Sequence, residues 1–179
     1  MTNIRALYTG TFDPIHYGHL DLMVRAAALF DEIIVAVYDH RIPTKSILFS
    51  VEERIAMIEE ALEDTKPDNI TVTSFGGLAV DFARQVKAQV FVRGLRVFSD
   101  FEFEFRLALA NKRLDPSIET ISLITREEHT FLSGTTVREI ASLGGDVSSM
   151  VPPCVAAALY AKFNGKDKPD FSRPLPLRD

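Results

Sequence analysis

Tyr8-Thr-Gly-Thr-Phe-Asp-Pro-Ile-His-Tyr-Gly-His19 joins a short apolar run, Ile4 to Tyr8, to a segment of helical period, His19 to Phe30. A strand that feeds a helix in this way is half of a βα unit, and in open α/β sheets ligands bind beyond the carboxyl ends of the strands. Gly10 lets the backbone turn tightly and approach a phosphate, while the Thr11 hydroxyl and the Phe12 amide are neutral donors. His16 and His19 are spaced i, i+3, so a helix starting at His16 puts both on one face, and Gly18 leaves room for a ligand beside the backbone. A helix N-terminus favours bound anions through its unpaired N–H groups and its dipole. In an isolated pair of histidines one would rather cap the helix or pack in the core, and it is the surrounding turn that favours a phosphate site. Zinc needs more ligands than two histidines without spaced cysteine or carboxylate partners. The chain lacks GxxxxGK[ST] and GxGxxG, which argues against P-loop and dinucleotide-binding modes.

Outward from this turn, β-rich runs alternate with helical segments. Strands are expected near Ile4 to Tyr8, Glu32 to Val37, Ile70 to Ser74, Val90 to Arg93 and Ile118 to Ile124. Helices are expected near His19 to Phe30, Val51 to Asp64, Leu78 to Lys87, Asp100 to Arg113, Val137 to Leu143 and Pro153 to Phe163. Ser50 with Glu53, and Thr136 with Glu139, have capping-box spacing. The alternation predicts an α/β fold with a doubly wound, five-stranded parallel sheet. One domain over residues 1–164 is expected, ending in a C-terminal helix, followed by a flexible tail over 165–179 that is polar and holds three prolines.

Composition narrows the class. The 46% apolar and 25% charged shares are those of a globular domain, which excludes disorder and disulfide scaffolds. A net charge of −5 argues against a broad nucleic-acid or anionic-membrane footprint. The only cysteine, Cys154, forbids an internal disulfide and reads as a buried inert thiol. Polar Thr2, Asn3 and Arg5 follow Met1, and no apolar run approaches the ~20 residues of a membrane helix, so a cytoplasmic protein is expected.

Three further segments carry chemistry. Arg93-Gly-Leu-Arg96 follows the fourth strand, where guanidinium forks match phosphate oxygens in pairs, or pair instead with Asp100 or Glu104. On the next helix Asp100, Glu104, Leu107 and Asn111 fall within roughly 60° of arc, a polar stripe that suits a solvated face, a site or a subunit contact. Phe101, Phe103, Phe105 and Leu109 spread around the remaining circumference, which predicts burial on more than one side. His129-Thr-Phe-Leu-Ser-Gly-Thr-Thr136 leads into a helix start and offers hydroxyls and N–H groups.

TGTFDPIHYGH resembles the signature of the HxGH nucleotidylyltransferases, and the resemblance runs from about Ile4 to Phe163. It includes FSVEER at Phe49 to Arg54, VRGLR at Val92 to Arg96, DFEFEFRLALANKRL at Asp100 to Leu114 and GGDVSSMVP at Gly144 to Pro152, which resemble the branch of that family acting on phosphopantetheine. The resemblance implies a Rossmann-like sheet and adenylyl transfer from ATP to 4′-phosphopantetheine, with magnesium on the triphosphate. It implies His19, Lys45 and Arg93 as catalytic. For ATP it implies Thr11, Phe12, His19, Gly94, Leu95, Arg96, Glu104, His129, Thr130, Phe131, Leu132, Ser133, Gly134 and Thr135. For the acceptor it implies Thr11, Lys45, Leu78, Ala79, Arg93, Leu107 and Asn111. A homohexamer that coenzyme A inhibits by feedback is implied as well. This chain departs from the pattern at Ser46, where a second lysine is frequent, at His129, where the family has an aromatic residue, in the Ser133-Gly134-Thr135 triplet, and at His16, where threonine is common in this branch.

Overall fold

Strand β1 (Arg5–Gly10) runs apolar without alternation through Ala6, Leu7 and Tyr8 because it is the central strand and both of its faces are covered. The computed structural model describes residues 3–39, 47–63, 65 and 67–164. Lys45, Ser46 and the 165–179 tail lie outside the described residues. After β1 come α1 (Tyr17–Ala27), β2 (Glu32–Tyr38), α2 (Val51–Leu62), β3 (Ile70–Phe75), α3 (Ala79–Val86) and β4 (Val90–Leu95). Then follow α4 (Phe98–Leu114), β5 (Glu119–Ile124), a single 3₁₀ turn over Glu127–His129, α5 (Gly134–Ser142) and α6 (Pro153–Asn164).

The five strands are parallel in the order β3-β2-β1-β4-β5, with Leu7 paired to Ile34 on one side and to Phe91 on the other. Ala6, Tyr8, Ile33, Val35, Val37 and Val92 point to one face, where α1, α2, α5 and α6 add Leu22, Ile58, Val137 and Leu159. Leu7, Ile34, Ala36 and Phe91 point to the other face, under Val80 and Ala83 of α3. The doubly wound sheet expected from the sequence is therefore present. Chain order reverses between β1 and β4, so their carboxyl ends open a crevice at the switch point. No helix among the described residues is long and apolar enough to cross a membrane.

The Ser50 capping box forms as expected: the Glu53 N–H donates to Ser50 Oγ at 3.2 Å, and Glu53 accepts from the Ser50 N–H at 2.7 Å. The second expected box does not. Ser133, not Thr136, is the cap of α5; it accepts from the Thr136 N–H at 3.1 Å, and the helix starts at Gly134. A serine three residues upstream offers the same bond geometry and lets the helix gain a turn. Cys154 is half-buried rather than buried, and burial pushes its thiol pKa up.

The expectation for α4 is also corrected. Phe101, Phe103, Phe105 and Leu109 are each more than half exposed, because α4 packs on β4 and on the edge strand β5 by one side only. Phe98, Phe101 and Phe105 stack in sequence along the outer surface, with ring centroids 6.3 and 5.8 Å apart.

Candidate active site

At the end of β1 the chain passes through Phe12 in the left-handed region, φ 47°, and the Asp13–Pro14 peptide is cis. Positive φ falls on Phe12 and not on Gly10, so Gly10 is not the residue that makes the turn. Its lack of a side chain matters for another reason: a Cβ there would lie 2.7 Å from the buried Phe12 ring. Phe12 in turn meets Tyr8 and His19 edge-on, at 5.4 and 5.0 Å between centroids.

Two clefts open beside this turn. The first, of about 360 Å³, is lined by Thr9, Gly10, His16, His19, Arg93, Gly94, Arg96, Asp100, Glu104, Ser133 and Gly134, among others. The second, of about 220 Å³, is lined by Thr11, Phe12, Asp13, His19, Ile47, Gly134, Thr135 and Arg138, among others. Phe12, His19 and Gly134 belong to both.

His16 is the N-cap of α1, and its ring stacks on that of His19 at 3.6 Å with 21° between planes. His16 is only 4% exposed. Burial, with Arg96 and His129 adding to it, pushes its pKa down to about 3. Burial, then His16 and Arg96, hold His19 well below its ordinary value. Both rings are neutral at pH 7, so each has one N–H. The backbone N–H of His16 donates to His19 Nδ1 at 3.4 Å, which places the His19 proton on Nε2.

Both arginines of the β4 segment pair with α4. Arg93 meets Glu104 through two parallel bonds of 2.7 Å, and its Nη1 donates to Thr9 O at 3.0 Å and Oγ1 at 3.2 Å. Burial opposes the Arg93 charge, but Glu104 outweighs it and the net shift is upward. Arg96 bonds Asp100 at 3.0 Å and the Leu132 carbonyl at 2.5 Å, which ties α4 to the loop before α5. Burial works against the Asp100 carboxylate, yet its bonds from Arg96 bring its pKa down. Between the arginines, Gly94 is required by close approach, since a Cβ there would lie 2.8 Å from Leu22 Cδ1.

Of the residues expected from sequence, Thr11, Phe12, His19, Arg93, Gly94, Arg96, Glu104, Ser133, Gly134 and Thr135 line the two clefts. Leu95, His129, Thr130, Phe131, Leu132, Leu78, Ala79, Leu107 and Asn111 do not. Leu132 is buried and contributes its carbonyl, whereas Phe131 and Leu78 are exposed. His129 packs its Cβ over Gly18. Leu107 and Asn111 continue along α4 from the face that carries Glu104. Lys45 lies outside the described residues.

Two residues of the frame were missed. Asp13 is 7% exposed and accepts from the Leu48 and Phe49 N–H groups and from Arg138, at 2.9, 3.0 and 2.7 Å. Arg54 is buried at the start of α2. A signal for Arg54 existed, because it shares a helical stripe with Met57, Ile58 and Leu62, where an apolar residue is the norm. Among the described residues no three His, Cys, Asp or Glu side chains are grouped to hold a metal ion.

A switch-point crevice with neutral imidazoles, arginines and a helix start is the equipment of a nucleotidyl transfer site. Residues 7–140 match the family model described as cytidylyltransferase-like. The fold is similar to that of a protein from Vibrio parahaemolyticus assigned as a nicotinate-nucleotide adenylyltransferase, with TM-score 0.66, 16% identity and coverage of 89% of this chain and 99% of that one. A phosphopantetheine adenylyltransferase from Dictyoglomus thermophilum is 46% identical over 165 residues, 92% of this chain and 98% of its own. One from Heliobacterium modesticaldum is 49% identical over 158 residues, 88% of this chain and 92% of its own. The chain belongs to the phosphopantetheine adenylyltransferase family.

Proposed function

We propose that the chain transfers the adenylyl group of ATP to the phosphate of 4′-phosphopantetheine, giving dephospho-coenzyme A and pyrophosphate. The observation that carries this reading is His19, which lines both the cleft that holds Arg93 and Arg96 and the cleft that holds Thr11 and Thr135. A phosphate oxygen of the acceptor forms a bond to the α-phosphorus, and the bond from that phosphorus to the pyrophosphate oxygen breaks. A phosphate monoester has a second pKa of about 6, so the nucleophile is already ionised and no general base is needed. Catalysis then rests on positioning and charge stabilisation.

In this scheme the neutral His19 donates from Nε2 to the α-phosphate as charge moves, Thr11 and Lys45 orient the acceptor phosphate, and Arg93 and Arg96 clamp. Arg93 and Arg96 are held by Glu104 and Asp100 in the free chain, so ligand phosphates must share or exchange those partners. Gly94, Leu95 and Glu104 with the His129 to Thr135 loop hold the nucleotide, and Leu78, Ala79, Leu107 and Asn111 flank the pantetheine arm. Magnesium would enter with ATP as part of the substrate and would supply neutralisation of phosphate charge, while Glu104 and Asp100 stay paired with Arg93 and Arg96. Pyrophosphate release that depends on phosphopantetheine, with pure protein, ATP and Mg²⁺, is the test. Release without the acceptor, or none at all, would sink the reading.

The finer properties follow the family. The site faces the cytoplasm, where both substrates occur, and coenzyme A, which contains the product's structure, acts as a feedback ligand. The chain assembles as a homohexamer through α4, whose Phe98, Phe101 and Phe105 form an apolar surface of a kind monomers rarely expose. Light scattering should therefore give six times the 20.0 kDa chain mass. Phe105→Glu should yield smaller species, and a monomeric unsubstituted chain would refute the assembly.

A further inference from the structure

Arg54 is 2% exposed and makes no ion pair among the described residues. Its four hydrogen bonds all go to backbone carbonyls. Nε donates to Phe49 at 3.1 Å and Ser50 at 3.2 Å, and Nη1 donates to Thr11 at 2.6 Å and Tyr38 at 3.1 Å. One planar group thus ties the ends of β1 and β2 to the start of α2. Burial lowers its pKa, opposed by Asp13 and Asp39, but a guanidinium stays charged in any accessible range.

The bond to Thr11 has a directional consequence. In a trans peptide the carbonyl and the following N–H point to opposite sides of a rigid plane, and the Thr11–Phe12 peptide is trans. With the Thr11 carbonyl held by Arg54, the Phe12 N–H is turned away from the core, toward the ligand side of the turn. That N–H makes no hydrogen bond among the described residues. Phe12 also sits at φ 47°, a conformation an aromatic residue seldom adopts unless its surroundings impose it. Both Thr11 and Phe12 line the second cleft beside His19.

We propose that Arg54 is a positioning residue for phosphate binding: it locks the Thr11–Phe12 peptide so that the Phe12 N–H meets an anionic oxygen of the bound nucleotide. The proposal rests on the reading of this turn as the phosphate site. Asp13 braces the same frame from the other side by holding the Leu48 and Phe49 amides.

The test compares ligands with and without phosphates. Arg54→Lys keeps the positive charge but cannot span carbonyls in a planar fork. Calorimetry on the folded variant should show ATP binding weakened by about tenfold, the scale of one charge-assisted hydrogen bond, with adenosine binding unchanged. Equal weakening of both ligands would mean general loosening and would overturn the proposal, as would full retention of ATP affinity. A second measurement covers a variant that fails to fold: in the unsubstituted ¹⁵N-labelled protein the Phe12 amide proton should move downfield with ATP and not with adenosine. An unmoved amide overturns the role of Arg54, whereas an unsubstituted chain that does not bind ATP at all overturns the functional reading instead.

Discussion

Replacing His19 with alanine should lower kcat by about 10²- to 10³-fold, the usual cost of removing one donor aimed at developing charge, while ATP affinity changes little. The asymmetry follows from the ring's state. His19 is neutral, with its proton on Nε2, and a neutral donor contributes most where negative charge grows in the transition state. Single-turnover and equilibrium binding measurements on the variant separate the two effects, and equal loss in both would mark His19 as merely structural. His19→Gln, which keeps an amide N–H, should recover part of the rate. The pH profile supplies an independent check. The His19 pKa is displaced well downward by burial, so the ring is neutral around pH 7 and adds no inflection there. Any acid limb near pH 6 belongs to the acceptor phosphate and should persist in His19→Gln.

Replacing Arg93 with methionine should destabilise the protein by about 3–5 kcal/mol, because it strands the Glu104 carboxylate, whose side chain is only 12% exposed. Turnover should be lost as well. The two losses have different causes, and the double variant Arg93→Met/Glu104→Leu separates them. With the stranded charge removed, the melting temperature should return most of the way, while turnover stays absent because no fork remains for phosphate. If activity returned together with stability, Arg93 would be a structural residue and its place in the clamp would be wrong.

The parts of this molecule that could be read from the chain are those governed by short-range pattern. Continuous apolar runs gave β1 and β2, and Ser50 with Glu53 gave a helix start, because such signals depend on neighbours a few residues apart. The position of His16 and His19 at a helix start was legible in the same way, but their stacking and loss of charge come from burial by distant segments. Arg93 with Glu104 was weighed as an ion pair, and geometry made it a bidentate one inside the cleft. Asp13 and Arg54 were missed because the bonds that place them at the site, Asp13 to Leu48 and Phe49 and Arg54 to Thr11 and Tyr38, reach backbone atoms far along the chain. The outer face of α4 was misjudged since a single helix pattern cannot say whether its apolar side meets its own sheet or another surface.

The pairing of Arg93 with Glu104 and of Arg96 with Asp100 also governs how ligands arrive. The charged groups lining the first cleft cancel, Arg93 and Arg96 against Glu104 and Asp100, and the chain as a whole carries −5, so neither that lining nor the overall charge draws polyphosphate inward. Recognition must therefore begin at contact distance, where a phosphate displaces or shares a carboxylate. Added salt, which screens interactions beyond about 8–10 Å, should have little to act on, and simple anions that cannot compete for a bidentate arginine will pass the cleft by.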